Sequence, residues 1–233
     1  MSKRLWSRSE GGTLLARKLT HFKEAPGLVV LAVPPGGVPV AFEIARKLDA
    51  PLDVLAAVNL PVPGNPGQTL GAVARGGVRV LHTEAIDESG VAPGLVEQAV
   101  IAGEAELARR EHAFRGWNRP LDLRGRTVIL VDDGMATGAT MSTAVLSAQR
   151  HGAERVIVAV PVASAEARSA VAQSVRDVIC LHAPATFTTI GDFYDQFPRV
   201  GDQDVRDLLA QARQDLQSRP LFDIFAFAGM SSS

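Results

Sequence analysis

The amino-acid sequence predicts an α/β protein whose core is an open, mostly parallel, twisted sheet flanked by helices. Short apolar runs that are typical of buried strands alternate along the chain with segments whose apolar residues recur at helical spacing. This alternation predicts parallel strands that are joined by helical crossovers. The chain has 233 residues, of which 46% are hydrophobic, so it can bury one substantial core.

The first half of the chain combines such strands and helices with one β-hairpin. Leu14, Leu15, Leu19 and Phe22 share one face of a predicted helix. Five prolines and glycines within residues 59–68 indicate a loop, and the valines that alternate with a polar residue after a Gly-Gly pair indicate the hairpin. The expected elements are a helix at 13–22, a strand at 28–33, a helix at 38–48, a strand at 52–58, the loop at 59–68 and a hairpin at 70–82 that turns at Gly76-Gly77.

The second half of the chain continues the alternation of strands and helices. An alanine-rich stretch predicts a long helix, in which Glu106 and Arg110 can pair across one turn. Ser164 is suited to cap a later helix. The expected elements are helices at 94–114, 139–150 and 165–174 and strands at 127–131, 155–162 and 178–181.

These elements predict a single domain over residues 1–233 with a core at about 25–182. The segment at about 183–200, together with the N-terminal segment and the hairpin, is expected to form a small hood over the core. Residues 219–233 form an apolar tail that is too short to cross a bilayer. We expect this tail to pack on its own domain or on a second subunit, which leaves a homodimer open.

Composition and charge exclude several classes of partner. The formal net charge is −1, without the basic excess that is typical of nucleic-acid binding. No apolar run approaches the ~20 residues that a membrane-spanning helix needs. The single cysteine, Cys180, excludes an internal disulfide and a cysteine-rich metal site, and it fits a reducing compartment. We therefore expect a cytoplasmic protein with no nucleic-acid partner and no membrane partner.

The segment from Thr127 to Thr140 carries the strongest chemical signal. An apolar strand delivers Asp132 and Asp133 at its carboxyl end, where ligands bind in open α/β sheets. A short loop of small and hydroxyl-bearing residues follows, and the free N–H groups of the helix that begins after it suit a phosphate. The two carboxylates suit sugar hydroxyls, directly or through a divalent metal. The combination indicates a ligand with both ribose and phosphate, and the alternative is a polar turn that binds nothing.

This segment resembles the signature by which phosphoribosyltransferases bind phosphoribosyl pyrophosphate (PRPP), which has an apolar strand, two acids, a small-residue loop and Thr-Gly-x-Thr. The stretches GGVPVA and GRTVILVDDG narrow the resemblance to bacterial phosphoribosyltransferase-like proteins of unassigned substrate. It implies the type I phosphoribosyltransferase fold, PRPP and a small-molecule acceptor as substrates, and Mg2+ with the pyrophosphate. It implies Asp132 and Asp133 as the catalytic pair that holds the ribose hydroxyls and, in part, Mg2+. The residues implied to hold the 5′-phosphate are Gly134, Met135, Ala136, Thr137, Gly138, Ala139 and Thr140, and those implied to hold pyrophosphate are Pro35, Gly36 and Gly37.

Two departures from the family pattern lower the positive charge expected around pyrophosphate. Relatives usually carry a basic residue at the position of Pro35 and a lysine near Asn59. Related enzymes often hold the peptide bond before the first of these positions in the cis form. That form costs about 0.5–1 kcal/mol before proline and about 2.5–4 kcal/mol before other residues, so we predict a cis Pro34–Pro35 bond. Arg75 and Arg79 on the hairpin could replace the missing charge, or they could be ordinary solvated arginines.

The acceptor is less well defined by the sequence. Enzymes for 6-oxopurines carry a carboxylate where Ala136 stands, which argues against hypoxanthine and guanine. Phe187, Phe193 and Tyr194 follow the last predicted strand, and they could stack on a planar base or close the core. The predicted function is transfer of the 5-phosphoribosyl group from PRPP to a nitrogenous base or related acceptor. The alternative is a module of the same fold that binds PRPP or a nucleotide without turnover.

Overall fold

The computed structural model describes residues 4–115 and 120–218, so the predicted apolar tail at 219–233 lies outside the described residues. The strands are β1 (Val29–Ala32), β2 (Leu52–Val54), β3 (Ala57–Val62), β4 (Asn65–Ala74), β5 (Val78–Leu81), β6 (Thr127–Val131), β7 (Arg155–Val162) and β8 (Asp177–His182). The α-helices are α1 (Arg8–Lys18), α2 (Gly37–Leu48), α3 (Thr83–Ser89), α4 (Pro93–Arg115), α5 (Ala139–Arg150), α6 (Ala165–Ala172) and α7 (Asp202–Gln217). Short 3-10 helices cover Thr20–Phe22 and Ile190–Phe193.

Five strands form one sheet in the order β2-β1-β6-β7-β8, and every neighbouring pair is parallel. The predicted parallel sheet is therefore confirmed. The last residue of β1, Ala32, lies beside the last residue of β6, Val131. Because parallel strands end at the same edge, the loops that follow β1 and β6 leave the sheet side by side.

Helices cover both faces of this sheet, as the wholly apolar strands require. Successive strand residues face opposite sides, so Val30 and Ile129 pack into the cluster under α1, α2 and α7, while Leu31 and Leu130 pack into the cluster under α5 and α6. All four residues are at most 2% exposed. The buried sheet is a rigid base for the loops at its carboxyl edge.

A second sheet of three antiparallel strands, β3-β4-β5, corrects the sequence prediction for residues 52–68. The strand predicted at 52–58 divides between the two sheets as β2 and β3, because an apolar run does not show where the chain leaves one sheet for another. The loop predicted at 59–68 belongs mainly to β3 and β4. Pro61 is tolerated there because the pairing shifts register on both sides of it. The hairpin turn at Gly76-Gly77 is confirmed, and both glycines have positive φ angles.

The N-terminal segment and the predicted hood segment at 183–200 run side by side. The Leu5 N–H donates to the Phe193 carbonyl at 2.9 Å, and the Asp195 N–H donates to the Leu5 carbonyl at 2.8 Å. The helix predicted at 13–22 begins earlier, at Arg8, after Ser7 accepts a hydrogen bond from the Glu10 N–H. Within the described residues, no helix is long and apolar enough to cross a membrane.

Candidate active site

A large cavity lies at the carboxyl edge of the parallel sheet, where β1 and β6 end. Its volume is about 1010 Å³, enough for a nucleotide-sized ligand together with a second small molecule. The loop after β1, the acidic pair after β6, the first part of β3, the C-terminal part of α4 and the hood all contribute to its walls. The predicted site residues among its lining are Pro35, Gly36, Asp132, Asp133 and Thr140.

The Asp133 carboxylate is anchored by Arg8, a residue that the sequence reasoning did not single out. Arg8 Nε donates to Asp133 Oδ2 at 2.8 Å, and each side chain is only 10% exposed. Arg8 Nη1 also donates to the Pro198 carbonyl at 2.7 Å, and its guanidinium lies 3.7 Å from the centre of the Phe197 ring. Arg8 therefore ties the first turn of α1 to both the acidic pair and the hood.

The two glycines after Pro35 allow the β1 loop to lie directly against the acidic pair. A Cβ atom on Gly36 would collide with Asp133 Oδ2, and one on Gly37 would stand 2.6 Å from the Val131 carbonyl oxygen. The resemblance implied that these glycines hold pyrophosphate, whereas the close approach seen in the structure is to Val131 and Asp133. The predicted cis Pro34–Pro35 bond is confirmed.

Both carboxyl groups of the pair have a raised pKa. Burial raises the pKa of Asp132 well above its usual range, and the neighbouring charge of Asp133 adds to the rise. Burial also raises the pKa of Asp133, although the hydrogen bond and charge of Arg8 oppose the rise. Asp132 Oδ1 accepts the Asp133 N–H at 2.8 Å. Hydrogen bonds from the hydroxyl groups of a sugar would replace the hydrogen bonds to water that these carboxylates lose on burial.

Tyr194 supports the acidic pair from beneath. Its hydroxyl donates to the Asp133 carbonyl at 2.6 Å, and the side chain is only 1% exposed. Burial raises the pKa of Tyr194 above its usual value, so the hydroxyl stays protonated and remains a donor at neutral pH. The hood therefore fixes the main chain at Asp133 as well as its side chain.

The loop after the acidic pair leads into an open helix N-terminus. Its beginning is anchored, since the Met135 N–H donates to the Val162 carbonyl at 2.9 Å and Ser164 Oγ donates to the Ala136 carbonyl at 2.7 Å. Gly138 precedes α5 with a φ angle of 81°, and it supplies no side-chain cap. The Ala139 N–H makes a long hydrogen bond of 3.4 Å to Thr137 Oγ1, and the N–H groups that follow it in the first turn of α5 are available to an anion.

Thr140 and Asn59 connect this loop to the antiparallel sheet. Thr140 Oγ1 donates to Asn59 Oδ1 at 2.7 Å, and both residues line the cavity. Asn59, noted in the sequence for its lack of charge, therefore lies within reach of the helix N-terminus. It offers an amide where a cation was expected.

Gly37 and residues 134–139 adjoin lining residues in the chain but are not part of the lining itself. The hairpin arginines and the hood aromatics also lie outside it. Arg79 on β5 pairs with Glu104 at 2.8 Å and with Glu97 at 3.5 Å, both on α4. The Arg75 carbonyl accepts a hydrogen bond from Ser147 Oγ at 2.8 Å. The three hood aromatics instead pack in a hydrophobic cluster with Leu5 and Val162, and they are Phe187, Phe193 and Tyr194. The structure thus matches the alternative in which these aromatics close the core.

Several cavity residues escaped the sequence reasoning. They are Arg8, Arg109, Arg110, Phe197 and Arg199. A partial signal existed for Arg110, whose pairing with Glu106 is present at 2.7 Å, although that pairing alone does not indicate which side of the helix meets a ligand. The positions of the others depend on contacts between segments that are far apart in sequence.

The acidic pair fits a metal ion that arrives with a substrate. Among the described residues, no group of three or more His, Cys, Asp or Glu side chains could hold an ion by itself. Mg2+ usually keeps several waters and binds one or two carboxylates together with substrate phosphates. Asp132 and Asp133 supply such carboxylates, although Asp133 is already in an ion pair with Arg8.

Comparison with known proteins identifies the family of this chain and agrees with its fold. The family model of the phosphoribosyl transferase domain matches residues 10–197 of this chain. The chain therefore belongs to the phosphoribosyl transferase family. Two Mycobacterium tuberculosis proteins, from strains CDC 1551 and H37Rv, are provisionally named as phosphoribosyl transferases. Each is 36% identical to this chain over 219 residues, which is 94% of this chain and 49% of the relative. The chain thus spans about half the length of the curated relatives it matches.

A solved structure gives a similar result for the fold. The crystal structure of TT1426 from Thermus thermophilus is 38% identical in sequence and superposes with a TM-score of 0.75. The similarity covers 89% of this chain and 98% of the Thermus chain. The architecture described above is therefore shared over nearly the whole length of that protein.

Proposed function

We propose that the protein transfers the 5-phosphoribosyl group of PRPP to a nitrogenous base or related acceptor and releases pyrophosphate. The observation that carries this proposal is the meeting of three features at one sheet edge. These features are the half-buried carboxylate of Asp132, the N-terminus of α5 without a side-chain cap and the loop after β1, whose residues Pro35 and Gly36 are half-buried and line the cavity. Family membership supports the general class of reaction.

Each feature has a role in holding the donor. Asp132 accepts hydrogen bonds from the ribose hydroxyls, since Asp133 already accepts one from Arg8. The backbone of residues 134–140 holds the 5′-phosphate, and the β1 loop faces the pyrophosphate. Mg2+, when it is bound with PRPP, neutralises part of the pyrophosphate charge. The chain itself mainly positions the donor and stabilises the departing charge, because displacement at the anomeric carbon develops oxocarbenium character.

The proposed acceptor is one that needs no base from the phosphate loop. Ala136 stands at the loop position where a general base would act, and its side chain carries no titratable group. A general base must reach the proton that it removes within hydrogen-bond distance. We therefore expect no turnover of hypoxanthine or guanine.

A binding module that senses PRPP or a nucleotide without turnover is the second candidate. It is favoured by the β1 loop, which presents Pro35 where relatives carry a basic residue, and by the amide of Asn59. Neither side chain can stabilise a departing pyrophosphate by charge. In this case the same cavity would bind the donor and leave it intact.

Pyrophosphate release from PRPP, measured with Mg2+ and a panel of nitrogenous acceptors, tests the proposal. Release that depends on one acceptor class, and that is lost in Asp132→Asn, is the expected result. Saturable binding of PRPP without release on any acceptor would favour the sensor. Absence of PRPP binding would contradict both candidates.

A further inference from the structure

We infer that Arg109, Arg110 and Arg199 bind the pyrophosphate group of the donor and supply the positive charge that Pro35 and Asn59 lack. These three residues are called the arginine wall below. The inference rests on the proposed function, because it assigns one part of the same ligand to residues outside the family signature. The arginine wall would supply positive charge near the pyrophosphate, which the β1 loop lacks.

The arginine wall lies on the cavity that also contains the acidic pair and the β1 loop. Arg109 and Arg110 lie near the C-terminus of α4, and Arg199 lies near the end of the hood. All three line the same cavity as Pro35 and Asp132. A donor whose ribose is held at Asp132 and whose pyrophosphate faces Pro35 would thus lie in a space bounded by these arginines.

The charges of the wall are only partly satisfied within the protein. Arg109 and Arg110 share one carboxylate, with the Nε of each lying 2.7 Å from a Glu106 oxygen, and Arg109 makes a longer contact of 3.8 Å with Asp202. Hydrogen bonds from Arg109 and Arg110 lower the pKa of Glu106 to about 2, so Glu106 stays ionised at neutral pH. Arg199 is exposed and has no hydrogen bond or ion pair within the described ranges. The wall has three guanidinium groups, and the carboxylates paired with it are those of Glu106 and Asp202. One positive charge of the wall is therefore left to attract a ligand.

The ion pairs with Glu106 are compatible with ligand binding. Exposed ion pairs on a helix contribute little to stability, so an incoming anion can compete for the guanidinium groups. Each guanidinium has five N–H donors in a planar fork that matches phosphate oxygens, and Arg110 uses only Nε toward Glu106. Glu106 therefore holds the two side chains in place without exhausting their donors.

Arg79 is the competing source of charge. It also pairs with glutamates of α4, but it lies on β5 and outside the cavity lining. Arg124 offers a matched control, because it is an exposed arginine paired with Asp122 at 2.7 Å and it also lies outside the lining. Substitutions at Arg79 and Arg124 therefore show whether weaker binding comes from a lost contact with pyrophosphate or from the loss of any one positive charge.

The test is a calorimetric titration of PRPP and of ribose 5-phosphate, each with Mg2+, into the full chain and its variants. The variants are Arg109→Gln, Arg110→Gln, Arg199→Gln, the triple combination, Arg79→Gln and Arg124→Gln. We expect each wall substitution to weaken PRPP about tenfold, the scale of one charge-assisted hydrogen bond. Affinity for ribose 5-phosphate, which lacks pyrophosphate, should stay within about twofold, as should PRPP affinity in Arg124→Gln.

The outcomes separate the inference from the proposed function. If the triple variant keeps the full preference of the wild type for PRPP over ribose 5-phosphate, the arginine wall does not bind pyrophosphate. Selective loss of PRPP affinity in Arg79→Gln alone would assign the role to the hairpin and overturn the inference. If the wild type binds neither ligand, the proposed function itself is wrong. Thermal melting of each variant confirms that a lost affinity is not a lost fold.

Discussion

Replacement of Arg8 by methionine gives the sharpest test of how the acidic pair is held. The substitution keeps much of the volume of the side chain and removes the charge that faces Asp133. The Arg8 and Asp133 side chains are each 10% exposed and lie 2.8 Å apart, so the variant leaves a buried carboxylate without its partner. Breaking such a pair costs about 3–5 kcal/mol, a fall in Tm of roughly 6–20 °C for a protein of this size.

The pH dependence identifies Asp133 as the source of this loss. Burial already raises the pKa of Asp133, and removal of Arg8 raises it further, so the folded variant takes up a proton that the unfolded chain binds only at lower pH. The stability lost in Arg8→Met should therefore be largest at about pH 8 and should shrink as the pH falls toward ~4, the ordinary pKa of an aspartic acid. Urea unfolding at several pH values measures both effects.

Two further variants control this experiment. The double variant Arg8→Met with Asp133→Asn should recover most of the lost stability, because it buries no unpaired charge. Arg124→Met removes an exposed arginine of similar size and should leave the midpoint nearly unchanged. A loss below about 1 kcal/mol in Arg8→Met, or an equal loss at pH 5 and pH 8, would show that Arg8 does not stabilise the fold by pairing with an ionised Asp133.

Three other substitutions probe the same site. Asp132→Asn should weaken PRPP by about tenfold or more, yet raise Tm at pH 7, because ionisation of this half-buried carboxyl lowers the stability of the fold once the pH exceeds its ordinary pKa. Gly36→Ala should lower stability by about 1–3 kcal/mol and abolish PRPP binding, because its Cβ must displace the Asp133 carboxylate. Tyr194→Phe should cost about 1–3 kcal/mol, since it removes the buried donor to the Asp133 carbonyl.

Each of these results has a contrary outcome. At pH ~3 the carboxyl of Asp132 is mostly protonated in the folded and in the unfolded protein. If Asp132→Asn still raised Tm at that pH, the gain would not come from removal of a buried charge. Gly94→Ala is the control for Gly36→Ala, since a Cβ there meets nothing within 4 Å, and an equal loss in both would remove the steric argument. Unchanged urea midpoints in Tyr194→Phe would mean that the hydroxyl contributes nothing to the hood.

The strand, acidic pair and helix around residues 127–150 could be predicted because their signals are local. A continuous apolar run, two adjacent acids and a small-residue loop lie within Thr127 to Thr140, and each signal has one structural solution. The parallel sheet follows in the same way from the apolar strands. The cis Pro34–Pro35 bond was predictable from the resemblance together with the low cost of that form before proline.

The other part of the site could not be predicted because it depends on long-range packing. Arg8 and Asp133 are separated by 125 positions in the chain, and nothing near Arg8 in the sequence distinguishes it from a solvated arginine. The α7 helix, by contrast, carries a local signal that the sequence reasoning did not use, since Val205, Leu208 and Leu209 recur at helical spacing and pack on the core. The parts of β3 and β4 that lie within residues 59–68 were missed because their prolines and glycines are typical of a loop.

The proposed function requires that the site at the carboxyl edge of the parallel sheet holds the ribose and both phosphate groups of PRPP. Phosphorus NMR of PRPP, recorded with Mg2+ while the protein is added, tests it most directly, because the 5′-phosphate and the pyrophosphate give separate resonances. We expect all of these resonances to broaden or shift with the wild type, and we expect a much weaker effect with Asp132→Asn. Resonances that stay unchanged at saturating protein concentration would contradict it.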